Sequence, residues 1–366
     1  MPDTSSSSLP TVTSPSESTT SEAVSLPFRS GFVALVGRPN VGKSAILNKV
    51  VGQKIAISTH VPQTTRHRIR GVVTTRKSQV IFLDTPGFSK PIDHLGNYLV
   101  EEGQAALKEA DMLVAVMDGS LPPGKGDAWV LTQVMASGKP WMLFVNKLDL
   151  FQALGEDQAK HTKSQRGRKN GGTQQARQVH PLKQALRTML TPYQTLLSTV
   201  QTEMPDANPE LFKGVIGGSA HEGVGIQAML DVVRRDLPEG PSYFEVDDVT
   251  DQRLREMTAE LIREQLLILL YDELPHSVAV TIDHFDESNP SCIRISATLY
   301  VNAKSQKGMV IGKGASMIKA IGTQARETIQ ELLETQVFLN LEVKVKENWR
   351  KDEKFLSAIN LATDKT

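Results

Sequence analysis

The residues best suited to chemistry form one octapeptide, Gly37–Arg38–Pro39–Asn40–Val41–Gly42–Lys43–Ser44, placed after a short apolar run and at the start of a helical pattern. That is the phosphate-loop spacing in the context it needs. A polyphosphate must be met by several donors, and backbone N–H groups wrapped around it supply them. Gly37 and Gly42 allow the torsions and the close approach. Lys43 brings a positive charge to the outer phosphates, and the Ser44 hydroxyl suits a magnesium ion.

Three further segments make sense only beside that loop. Asp84–Thr85–Pro86–Gly87 ends the apolar run Val80–Leu83; an aspartate there reaches magnesium directly or through water, and Gly87 can set its N–H beside the terminal phosphate. Asn146–Lys147–Leu148–Asp149 ends the run Trp141–Val145. The Asp149 carboxylate matches the N1–H and exocyclic amine of guanine, whereas adenine has no donor at either position and would leave it desolvated and unpaired. Asn146 can brace the base edge and neighbouring loops, and the Lys147 stem can lie along the ring. Ser219–Ala220 follows a last run, Lys213–Gly217, where an Ala220 N–H would meet the guanine carbonyl.

Elements must carry these loops to one place. Apolar runs at Gly31–Val36, Ile69–Thr75, Val80–Leu83, Met112–Met117, Trp141–Val145 and Lys213–Gly217 alternate with helical patterns at Asn97–Glu109, Trp129–Met135 and Ile226–Arg235. This order predicts an α/β domain with a mostly parallel sheet covered on both faces, and ligands bind at the carboxyl edge of such sheets. The pattern breaks between Leu150 and about Glu210. There a basic, glycine-containing stretch, 160–178, reads as a long loop or insertion, either a solvated excursion or an arm for nucleic acid.

Glu239–Gly240–Pro241 opens a linker, 239–248, and a different pattern follows over 249–358. Arg253–Asp272 is an amphipathic helix, Val278–His284 and Ile293–Asn302 are paired strands, and Gly308–Gly314 is a glycine-rich turn. A helical stretch holding Ile318 and Ile321, a second helix from Thr323 to Glu334, and a strand at Phe338–Val345 complete a smaller α+β domain.

The whole chain sets wider bounds. Its 366 residues allow two cores, and 41 Lys plus Arg balance 41 Asp plus Glu, so any nucleic-acid surface must be a local patch. A single cysteine, Cys292, excludes an intrachain disulfide. No apolar run is long enough to span a membrane. The first 27 residues are rich in Ser, Thr and Pro, lack Lys and Arg, and read as a disordered tail rather than a targeting signal; residues 359–366 form a second tail.

These residues resemble the Era family of GTPases. Gln63–Thr64–Thr65–Arg66–His67–Arg68–Ile69 is similar to the family's switch I, and Ser305–Gln306–Lys307–Gly308 with Val310–Ile311–Gly312–Lys313–Gly314–Ala315 and Ile318–Lys319–Ala320–Ile321–Gly322 resembles its KH (type II) RNA-binding module. The resemblance, from about Gly31 to Leu356, implies a GTPase domain over 28–238 that cycles between GTP and GDP with magnesium. It makes Ser44, Asp84 and a switch I threonine the metal-site residues, Thr65 in preference to Thr64, and puts Lys43, Thr65 and Gly87 at the reacting phosphate. It implies RNA contacts at Lys307, Gly312, Lys313, Gly314, Ala315 and Lys319, with Lys304 and Arg326 adding charge. The RNA would be small-subunit (16S) ribosomal RNA near its 3′ end, and the role assembly of that subunit by a cytoplasmic monomer with peripheral membrane contact. The rival within the class is another ribosome- or tRNA-associated GTPase; a single phosphate loop and a cysteine far from the carboxyl terminus disfavour the best-known of these.

Three departures stand out. Ala315 replaces the second glycine of the KH loop, adding a methyl where backbone meets nucleotide phosphate. The basic insertion is longer than the family's loop, and His221 stands where leucine is usual. Phe88 follows the switch II glycine, where Ras-like enzymes carry a water-orienting glutamine, so slow intrinsic hydrolysis is expected. In related GTPases an asparagine matching Asn40 helps to bind potassium, which is an expectation here too.

Overall fold

The computed structural model describes residues 27–59, 64–87, 93–153, 181–271, 274 and 277–359. The Ser/Thr/Pro-rich tail over residues 1–26, Gln63, Phe88, the basic stretch 160–178 and residues 360–366 lie outside them.

The apolar runs become strands buried on both faces: β1 (Arg29–Val36), β3 (Ser78–Asp84), β4 (Met112–Asp118) and β5 (Trp141–Asn146), flanked by β2 (Ile69–Thr74) and β6 (Phe212–Gly217). They order as β2-β3-β1-β4-β5-β6, with β2 antiparallel to β3 and the other neighbours parallel. Helices cover both faces because parallel strands cannot be left half-exposed. On one face, α1 (Lys43–Val51) and α5 (Ile226–Asp236) bury Leu47, Met229 and Val233 against Val33, Leu35 and Phe82. On the other, α2 (His94–Glu109), α3 (Lys125–Ala136) and α4 (Pro181–Glu203) bury Ala106, Leu131, Val134, Tyr193 and Leu197. Asp93 caps α2 through Gly96 N at 2.8 Å, so this helix starts at His94, ahead of the Asn97 expected from periodicity.

Three expectations are corrected. The irregular insertion was expected to run from about 151 to 210, but α4 occupies 23 of those residues. Its stripe of Met189, Tyr193, Leu197 and Val200 is buried, and the many Thr and Gln residues around it hid the period. The glycine-rich turn at Gly308–Gly314 is instead a helix, α7 (Lys304–Ile311), then a short loop; and α8 (Ser316–Leu333) runs unbroken through Gly322. Burial of Ile321, Ala325 and Ile329 on one face outweighs the glycine's low helix propensity, about 1 kcal/mol.

The linker is stitched to the first domain. Ser30 Oγ donates to Pro241 O at 2.6 Å. The buried Gln79 amide acts as a substitute strand neighbour, donating to Phe244 O at 2.9 Å and accepting from Tyr243 N and Phe244 N at 2.7 and 3.0 Å. Val72 N then bonds Val249 O at 2.9 Å. Beyond it, α6 (Leu254–Leu269), β7 (Ala279–Asp286), β8 (Cys292–Val301), α7, α8 and β9 (Gln336–Val345) follow the α–β–β–α–α–β order, and a short α9 (Glu353–Ala358) is the last described element. Strand β8 is central, antiparallel to β7 and parallel to β9. Helices α6 and α8 press Leu261, Leu266, Ile321 and Ile329 onto Ile295, Ala297 and Leu299.

Candidate functional site

Four loops meet at the carboxyl edge of the parallel strands. The phosphate loop leaves β1, passes Asn40 at φ 64° and Gly42 at φ 95°, and enters α1. Gly42 is demanded twice, by that φ and by space: a Cβ there would lie 2.3 Å from Asn146 Nδ2. The amino terminus of α1 has no side-chain cap, so its orphan N–H groups stay free for an anion. Lys43 is folded back over the loop, its Nζ 3.1 Å from Gly37 O and 3.0 Å from Arg38 O. Burial lowers its pKa to about 8, against the pull of Asp84. An ammonium this buried, with two carbonyls as its hydrogen-bond partners among the described residues, is poorly compensated, and a phosphate oxygen would supply further charge. Pro39 and Val41 shape the loop between these points, and Arg38 turns outward to pair with Asp127 of α3 at 2.9 Å.

The candidate metal centre lies beside Lys43. Ser44 Oγ is 2.5 Å from Asp84 Oδ2 and 3.0 Å from Thr65 Oγ1, and Thr65 Oγ1 is 3.2 Å from Asp84 Oδ2. Asp84 is 0% exposed, and its Oδ1 has no hydrogen-bond partner among the described residues. Burial pushes its carboxyl pKa up, against Lys43 and the hydroxyls of Ser44 and Thr65. Two hydroxyls and a carboxylate with an orphaned oxygen are hard donors gathered at one point, and they fit magnesium. The Thr64 hydroxyl points elsewhere, to Thr59 Oγ1 at 3.1 Å. Gly87 lies against the phosphate loop, where a Cβ would fall 2.6 Å from Pro39 N. Thr85 spends its hydroxyl on Leu35 O at 2.8 Å, so it braces the sheet, and Pro86 is buried beside it.

The base-reading side is built from β5 and β6. Asn146 Nδ2 donates to Val41 O at 2.9 Å, tying this loop to the phosphate loop. Its Oδ1 accepts from Ala220 N at 2.9 Å, so the N–H expected to face the base here joins two loops instead. Ser219 Oγ donates to Asp149 Oδ1 at 2.6 Å and orients the carboxylate. Lys147, at φ 67°, is drawn across by Asp118 Oδ2 at 2.6 Å, a partner that sequence reasoning missed. His221 is exposed.

The second candidate site is the turn between α7 and α8. Gly312, Gly314 and Ala315 have φ of 73°, 61° and 62°. This leaves Lys313 and Lys319 exposed and Lys307 half-buried near a bare backbone. The other missed residues join the domains. Glu264 pairs with Lys54 at 2.6 Å, Arg350 with Asp93 at 2.8 Å, and Arg66 reaches Val278 O at 3.0 Å. These pairs are far apart in sequence and carry no local signal.

Comparison with known proteins agrees with this geometry. Residues 32–147 match the family described as 50S ribosome-binding GTPase, and residues 273–350 match that described as KH domain. The GTPase Era of Ruminiclostridium cellulolyticum is 37% identical over 338 residues, 92% of this chain and 99% of its own. That of Nostoc sp. is 40% identical over 323 residues, 88% and 86% of the two chains. A solved structure described as Era in complex with MgGDPNP and nucleotides 1506–1542 of 16S ribosomal RNA superposes with a TM-score of 0.75 at 29% identity, over 92% of this chain and 100% of the other. An Aquifex aeolicus Era variant bound to GDP.AlF4- gives the same values.

Proposed function

This chain belongs to the Era family of GTPases, and from that premise we propose that its KH domain binds 16S ribosomal RNA near the 3′ end and that its GTP cycle serves assembly of the small ribosomal subunit. It hydrolyses GTP to GDP and phosphate with magnesium. One observation carries the RNA reading: a relative with the same two-domain order, aligned over 92% of this chain, holds a magnesium nucleotide and a 16S segment together. We take the domains as 28–238 and 249–358, working as a monomer in the cytoplasm. RNA crosslinking in growing cells, with sequencing of the attached fragments, tests the role. Reads should gather at the 3′ end of 16S RNA; reads scattered over messenger RNA with none there would overturn it.

In the nucleotide site, Ser44, Thr65 and Asp84 would hold magnesium, which screens the charge of the outer phosphates. The backbone of Gly37–Ser44 cradles the phosphates, Lys43 opposes the charge that grows on the leaving oxygen, and the Gly87 N–H faces the terminal phosphate. Asn146 and Asp149 read the base, and Ser219 fixes the carboxylate. Loss of the terminal phosphate releases switch I. Hydrolysis is slow because Phe88 cannot orient water. Potassium beside Asn40 offsets part of that loss, so turnover in potassium should exceed that in sodium by about tenfold at equal ionic strength, on the order of one positioned charge. Equal rates in the two salts would remove the ion from the mechanism.

Ala315 gives a separate prediction. A left-handed alanine costs about 1–2 kcal/mol, while glycine is free to adopt that conformation. Ala315→Gly should therefore raise stability by about 1 kcal/mol in urea unfolding, after allowing for the more flexible unfolded chain. It should also tighten binding to a 3′-end 16S oligonucleotide by removing the methyl from the phosphate approach. A destabilised variant would mean that the methyl makes a favourable contact that outweighs the strain.

A further inference from the structure

Switch I is held from the second domain on both sides of Thr65. Before it, Ile57 is 2% exposed and packs into the second domain's core with Leu261 and Leu266. Glu264 of α6 takes the Lys54 ammonium at 2.6 Å and the Ser58 N–H at 3.4 Å. Immediately before Thr65, the Arg263 guanidinium, braced by Glu260, donates to the Thr64 carbonyl. Immediately after it, Arg66 donates to Val278 O at 3.0 Å and lies 5.5 Å from the centre of the Trp349 ring. Arg263 is 2% exposed, where a charge-assisted hydrogen bond is strong.

We propose that Arg263 is a positioning residue for the GTP-bound site: by holding the Thr64 carbonyl, helix α6 of the RNA-binding domain sets Thr65 for magnesium. The peptide joining Thr64 to Thr65 is planar, so fixing its carbonyl fixes the plane from which the Thr65 backbone departs. The Thr65 hydroxyl then falls 3.0 Å from Ser44 Oγ and 3.2 Å from Asp84 Oδ2. The contact bears on the triphosphate state alone, because GDP does not need switch I closed. Linkage makes it reciprocal: GTP seats the second domain as much as the seated domain favours GTP.

The inference rests on Thr65 as a magnesium ligand, so the experiment separates the two. The full chain and its variants are titrated with magnesium in the presence of fluorescent GDP or a fluorescent non-hydrolysable GTP analogue. Arg263→Met should weaken the analogue by about tenfold and raise its magnesium midpoint, leaving GDP within about twofold, as a single coupling contact would. Arg263→Lys should recover most of the loss, since a carbonyl accepts from an ammonium as well. Equal loss for both nucleotides, or no loss, overturns the proposal. Thr65→Val with unchanged magnesium dependence overturns the ligand reading beneath it; an impaired Thr65→Val with a normal Arg263→Met overturns the role of Arg263 alone. If Arg263→Met does not fold, Glu260→Gln tests the same contact by loosening the carboxylate that braces the Arg263 guanidinium. It should weaken the analogue selectively by about threefold, in the range of one weakened ion pair; no selective loss overturns the proposal.

Discussion

Asp149→Asn is expected to weaken GTP by about four orders of magnitude and to turn the site towards xanthosine triphosphate, the scale on which polar readout sites reject a mismatched partner. The carboxylate would accept from both guanine donors, and Ser219 Oγ, which donates to it at 2.6 Å, would hold it to that task. An amide keeps one acceptor and turns a donor on the other guanine donor. Xanthine has a carbonyl there, so the same amide finds a partner. Competition of GTP, XTP and ATP against fluorescent GDP in the parent, and against fluorescent XDP in the variant, checks this. A variant that still prefers GTP to XTP, or a parent that accepts ATP, would mean that Asp149 does not read the base. Ser219→Ala should act in the same direction but weakly, because it only frees the carboxylate to rotate.

How far the sequence could be read depended on whether a signal was local. Gly37–Ser44, Asp84–Gly87 and Asn146–Asp149 each pack their chemistry into a few residues, and the structure brings all three to one sheet edge. Thr65 could be preferred to Thr64 from resemblance alone; the distances to Ser44 and Asp84 give a physical ground for it. The α4 stripe escaped notice because its four buried residues sit among Thr, Gln and Arg, and because Pro192 lies inside the helix. Helix α8 reads as two helices parted at Gly322 when local propensity is taken without the sheet beneath it. The contacts of Arg66, Glu264 and Arg263 with the opposite domain were invisible, as each joins residues some two hundred positions apart.

Lys43→Met should separate catalysis from folding. The methionine keeps most of the stem and removes the charge. Single-turnover GTP hydrolysis should fall by about a thousandfold, the upper range for loss of one preorganised donor at a charged transition state. Most residues 6% exposed would be expected to destabilise when changed, but this one differs. Burial has already lowered the Lys43 pKa to about 8, so its charge is a cost to the nucleotide-free protein. Among the described residues its hydrogen bonds run to the Gly37 and Arg38 carbonyls, so no side chain relies on it for a partner. One loss opposes this gain: Asp84 gives up its nearest cation, and burial already disfavours its charge. Protonation of that carboxyl limits the penalty, so the thermal midpoint without nucleotide should stay within about 4 °C of the parent, a change near 1 kcal/mol. A large fall in stability would show that Lys43 serves the fold. Unchanged stability with hydrolysis lost would show that Lys43 serves the bound triphosphate rather than the fold.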